Sequence, residues 1–145
     1  MFATLAVAGL FIACSKKSSS STSSGGGGAE SISSNATPRL ALSGTSSVTS
    51  GSCSTVLTVT SQNSAGATTA VTTNTTVNLV STGVGGYFYS NNSCSSQVTQ
   101  VTISSGSGTA AFYYKKVTAD SVTITVSATG FTSGTASITV ASNGS

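Results

Sequence analysis

Three cysteines, five cationic side chains, two carboxylates and four tyrosines carry most of the reactive chemistry of this 145-residue chain. There is no histidine, so the usual general base and imidazole metal ligand are missing. The carboxylates are Glu30 and Asp120. Asp120 stands alone in the second half and cannot supply the pair that glycoside hydrolysis uses. A calcium site wants several hard oxygen ligands, which this composition does not offer. Ser–Lys nucleophile chemistry needs a lysine desolvated beside a serine. Lys115 and Lys116 adjoin at an expected strand end, where both should be solvated. The net charge of +3 gathers into no basic stripe, which excludes the clustered footprint of a nucleic-acid binder. Neither an enzyme nor a cofactor is expected.

Cys14 follows MFATLAVAGLFIA, residues 1–13, apolar apart from Thr4. About a dozen apolar residues are too few for a bilayer core of roughly 30 Å, which takes about 20. A signal-peptide hydrophobic region fits that length. With Ala13 directly before Cys14, the segment resembles the lipobox of bacterial lipoproteins, although Phe11 stands where that family prefers Leu. The resemblance implies cleavage before Cys14 and acylation of its thiol, an anchor that is stable once two or more chains are attached. It also accounts for an odd cysteine in an oxidising compartment. Ser15, rather than Asp, resembles the pattern sorted to the outer membrane in Gram-negative cells. The implied location is the bacterial cell envelope, by lipid anchor, on either the periplasmic or the surface face.

Residues 14–37 then read as the lipidated cysteine and a Ser/Gly tether without hydrophobic periodicity. Gly costs the most backbone entropy to fix and Ser competes for backbone hydrogen bonds, so a disordered coil is expected. Such a coil has a root-mean-square span of roughly 25–30 Å. Lys16 and Lys17 read as solvated charges first; contact with anionic head groups, at about 1 kcal/mol each, is the alternative. Pro38 marks the domain entry.

Residues 38–145 read as one all-β domain. Ser and Thr make up nearly two in five residues of the chain, yet apolar residues recur every second position between Gly/Ser/Asn turns. The expected inward sets are Leu40 and Leu42; Leu57 and Val59 on a strand opened by Cys53; Val77 and Leu79; Phe88; Val101 and Ile103; Phe112 and Tyr114; Val122, Ile124, Val126 and Ala128; and Ala136, Ile138 and Val140. Lys115 must reach water, which sets the phase of its strand. About seven strands result, in a β-sandwich.

The stretches GTAAFYYK and VTITVSATG, with the strand rhythm of residues 40–141, resemble bacterial Ig-like domains of the invasin/intimin type. That resemblance implies an immunoglobulin-like sandwich, in one copy here, as found in surface and secreted proteins.

Once Cys14 is acylated, Cys53 and Cys94 remain in the exported part, where thiols oxidise. A disulfide is expected between them; a redox or metal pair would call for CxxC spacing or histidine. Tyr87, Tyr89 and Tyr113 are the exposed aromatic candidates. They suit either ordinary cross-strand pairing or contact with a partner. The expected function is a non-catalytic, membrane-anchored envelope or cell-surface module of structural or adhesion type. It would meet an envelope or host-surface protein; the alternative is a carbohydrate-binding module that reads a glycan with these tyrosines.

Overall fold

In the computed structural model the described residues are 37–144. The leader, Cys14 and nearly all of the tether lie outside them. Among the described residues ten strands run β1 (Arg39–Ser43), β2 (Ser47–Thr49), β3 (Leu57–Gln62), β4 (Thr75–Ser81), β5 (Gly86–Tyr89), β6 (Gln97–Val98), β7 (Gln100–Ile103), β8 (Thr109–Lys116), β9 (Asp120–Ser127) and β10 (Gly134–Ala141). They form two five-stranded sheets, ordered β1-β3-β8-β5-β6 and β2-β10-β9-β4-β7. The architecture is the all-β sandwich that the alternation called for.

Two-residue periodicity makes these strands because Val, Ile and Thr pack well on a pleated, half-buried surface. On β9 the buried positions are Val122, Ile124 and Val126, and on β10 they are Ile138 and Val140. From the other sheet, Leu57, Val59, Phe88, Phe112 and Tyr114 meet them. Phe88 packs edge-on to Phe112 with ring centroids 5.8 Å apart, and lies 5.3 Å from Tyr114.

The strand count exceeds the expected seven for a physical reason. Short segments switch sheets at both open sides of the sandwich. β1 and β2 are edge strands of different sheets joined by Gly44–Ser46, and β6 and β7 repeat the arrangement on the far side. Switching covers edges that would otherwise present unpaired backbone. β2 adds to β10 in parallel, with Val48 opposite Val140.

Cys53 does not open an inner strand. The rung Leu57↔Phe112 is followed by the bridge Cys53↔Lys115, so four steps on one strand oppose three on β8. This extra residue is a β-bulge, and it reverses the phase. Ser54 is buried in it; its hydroxyl accepts the Tyr114 N–H at 2.9 Å and donates to the Thr55 carbonyl. Cys53 therefore faces outward beside Lys115.

The chain enters at one end and leaves at the other. Arg39 lies beside Gln62 and Thr132. At the opposite end, Ser50 N–H donates to the Ala141 carbonyl and Gly51 N–H to that of Lys116.

Cys53 and Cys94 are joined by a disulfide with Cα atoms 5.8 Å apart, closing a separation of 41 residues. In the chain-entropy model a loop of that size contributes about 4 kcal/mol by restricting the unfolded chain. Against a typical net stability of about 5–15 kcal/mol this is a large share. The Cys53→Ser/Cys94→Ser double variant is expected to lose about 3–4 kcal/mol in urea unfolding. A loss under about 1 kcal/mol would show that the bond constrains little.

Candidate functional site

β5 and β8 pair antiparallel with Tyr87 opposite Lys115 and Tyr89 opposite Tyr113. Directly opposed residues share a face. Phe88, Phe112 and Tyr114 take the inner one, which leaves the three tyrosines and Lys115 together outside. They are not equivalent. Tyr87 is 49% exposed, whereas Tyr89 and Tyr113 are half-covered.

The cover follows from the disulfide. At the Lys115 level, Cys53 lies on one side of β8 and Tyr87 on the other. Cys94 follows β5 by five residues yet bonds to Cys53, so the 90–96 loop folds across the outer face of β8. Asn91 builds this loop. Its side-chain oxygen accepts the N–H groups of Ser95 and Ser96, and its amide donates to the Ser95 hydroxyl at 2.7 Å. Cys94 sits at φ 49, a left-handed conformation uncommon for a side-chain-bearing residue.

Lys116 corrects the expectation that both lysines are solvated. It is 2% exposed. With Phe112 and Tyr114 inside, strict alternation turns Lys115 outward and Lys116 inward. A buried ammonium is costly unless paired. Its Nζ donates to the Val84 carbonyl and lies 3.7 Å from the Asp120 carboxylate. Among the described residues, its partners are this carbonyl and this carboxylate rather than a serine hydroxyl.

Next to this pair lies a second polar group that sequence reasoning missed. Tyr114 is fully buried, and its hydroxyl has no hydrogen-bond partner among the described residues. It occupies the space that a Cβ on residue 86 would need, so Gly86 is the residue that admits it. Burial pushes the phenol above its ordinary range. The Ser81 side chain, close by but outside hydrogen-bonding geometry, partly offsets the rise, and the Asp120 charge adds to it.

Beside Gly86 a groove of about 330 Å³ opens at the side of the sandwich, lined by Val80, Ser81, Gly86, Tyr87, Gln97 and Thr99 among others. It exists because the segment crossing from β6 to β7 leaves both sheets early. On β4 the last bond to that segment is Leu79 N–H to the Thr99 carbonyl, while Thr82 N–H turns to Thr123 on β9. By alternation, the Ser81 main chain faces the groove. On the other sheet β6 reaches only Phe88 and Tyr89 of β5, so the Gly86 main chain faces it too. The signal available in the sequence was the unusual Gly83, Gly85, Gly86 cluster beside Tyr87. The pairing that makes it a groove is long-range. Of the tyrosines singled out from sequence, only Tyr87 borders it; Tyr89 and Tyr113 do not.

No protein-family model matches the chain, and no curated protein does. Solved structures share its architecture. A β-glycosidase from Bacteroides vulgatus superposes with a TM-score of 0.53 at 16% identity, over 70% of this chain and 14% of the enzyme. A β-glucuronidase from glycoside hydrolase family 2 gives 0.54 at 15%, over 72% and 11%. A family 2 glycosyl hydrolase from Bacteroides cellulosilyticus gives 0.52 at 14%, over 72% and 14%. The chain thus spans a small part of each enzyme, and the likeness is one of fold.

An orphaned buried hydroxyl stabilises nothing and costs its desolvation, about 1–3 kcal/mol. Tyr114→Phe is therefore expected to leave urea stability at neutral pH unchanged, or to raise it by about 1 kcal/mol. The raised phenol also sets a pH dependence. Above about pH 10 the unfolded chain releases this proton while the folded one keeps it, so stability falls as pH climbs. That fall should be shallower in Tyr114→Phe. A loss above about 2 kcal/mol at neutral pH would mean that the hydroxyl is bonded after all.

Proposed function

We propose that this chain is a lipid-anchored, non-catalytic contact module of the bacterial envelope, of structural or adhesion type. Its partner is an envelope or host-surface protein, or a glycan. Support comes first from chemistry. The chain has no histidine and two carboxylates, and its buried lysine is held by a carbonyl and a carboxylate rather than poised beside a nucleophile. Likeness to 11–14% of the length of large glycosidases fits an accessory sandwich better than a reaction centre.

The observation that carries the reading is the placement of the two ends. Whatever precedes residue 37 joins the sandwich at the Arg39 end. The opposite end, where β10 finishes, carries the exposed tips Val84, 91% exposed, and Val117. A module joined to its anchor in this way turns those tips and the Tyr87 side of the sheet away from the anchor junction.

Cys14 is the residue on which anchoring rests, because acylation there is what the leader's resemblance implies. Full-length protein expressed in a Gram-negative host is expected to take up labelled palmitate, with processing blocked by globomycin. Cys14→Ser should abolish the label and move the protein from the membrane pellet to the soluble fraction. Equal membrane association of both forms, without label, would end this reading.

A further inference from the structure

We infer that the groove between β4, β5 and the β6–β7 crossing is a binding site for one neutral hexopyranose residue, in which Tyr87 stacks on the ring. The inference deepens the contact-module reading and rests on it.

Three features of the groove converge on a sugar. The first is its mixture of surfaces. A hexopyranose offers apolar C–H faces and a rim of hydroxyls, and aromatic side chains suit such amphipathic surfaces. Tyr87 lines the groove and is half exposed, and Val80 beside it is 58% exposed. Around them stand the Ser81 hydroxyl, the Gln97 amide and the Thr99 hydroxyl. The main-chain N–H and C=O groups of Ser81 and Gly86 face the same space. They supply donors and acceptors without ionised groups.

The second feature is the orphaned Tyr114 hydroxyl beneath Gly86. Buried polar groups are nearly always bonded, and an exception calls for a partner from outside. A ligand hydroxyl seated between Ser81 and Gly86 supplies it. The phenol lies directly behind Gly86, which is itself part of the groove lining. A glycine at 86 also removes the side chain that would separate the ligand from the phenol.

The third is size and charge. At about 330 Å³ the groove sits at the small end of the roughly 300–1,000 Å³ of ligand sites, suiting a single residue over a chain. No ionised side chain lines the groove; Lys115 stands opposite Tyr87 on β8 outside that lining, and Lys116 and Asp120 pair with each other behind Gly83. Nothing there favours an anion or a cation. Tyr89 and Tyr113 lie outside the groove, so the site uses one tyrosine of the three.

The test is amide chemical-shift mapping of the full chain against millimolar methyl glucopyranoside, galactopyranoside and mannopyranoside. Saturable shifts confined to residues 79–88 and 97–99 are expected for at least one of them. Tyr87→Ala should weaken binding about tenfold, and Tyr87→Phe, which keeps the ring, by less than about twofold. Tyr114→Phe should weaken it several-fold without loss of stability. Shifts with none of the three glycosides would overturn the site. Shifts that appear on concentrating the protein alone would also overturn it, because they would mean edge pairing between two copies. Shifts centred on Tyr89 and Tyr113 would refute the groove while leaving the contact-module reading standing. Failure of palmitate labelling would end the anchored-module reading without moving these shifts, so the two failures are told apart.

Discussion

The inward phase of β8 is the constraint on which the other features hang. This strand is central in its sheet, paired with β3 on one side and β5 on the other. Putting Phe112 and Tyr114 into the core leaves no freedom for the next inward position, because side chains alternate strictly. Lys116 is the consequence. Leaving its ammonium unpaired would cost several kcal/mol, so the turn holding Val84 and the start of β9 holding Asp120 are drawn in around it. Replacement of such a pair by apolar groups is often neutral. The pair therefore fixes where the turn lies more than it adds to stability.

The same phase decides what reaches the surface. Tyr113 and Lys115 face outward, Tyr89 and Tyr87 join them through the β5 register, and the bulge at Ser54 turns Cys53 to that face as well. Only then can Cys53 bond to Cys94 and hold the 90–96 loop across β8. The tie that closes the chain thus also sets how much of each tyrosine meets solvent.

Local pattern carried the sequence reading far. Val122, Ile124 and Val126, or Val77 and Leu79, are placed by period alone, because one face of their strands is wholly buried and a one-residue slip would expose it. Where the reading failed, the deciding information was lateral. Nothing near Lys116 in sequence tells that a carbonyl from residue 84 will reach it. The bulge that reverses Cys53 shows only in the register with β8. The short strands Ser47–Thr49 and Gln97–Val98 are too brief to register as periodicity, and their identity comes from the strands they join. The groove is further still from view, since it is the gap left where a crossing segment abandons two edges. Likeness to parts of glycosidases concerns the sandwich, and sandwiches host many functions. Any ligand must be argued from Tyr87, Ser81 and their neighbours.

The most direct measurement of β8's phase is competitive amine labelling of the folded protein, read residue by residue by mass spectrometry. Lys115 is expected to react at the rate of an exposed lysine, while Lys116 stays protected until the domain is unfolded. Equal labelling of both amines in the native state would place Lys116 in solvent. The packing of the Val84 turn, the seat of the Tyr114 hydroxyl and the groove beside it would then all lose their basis.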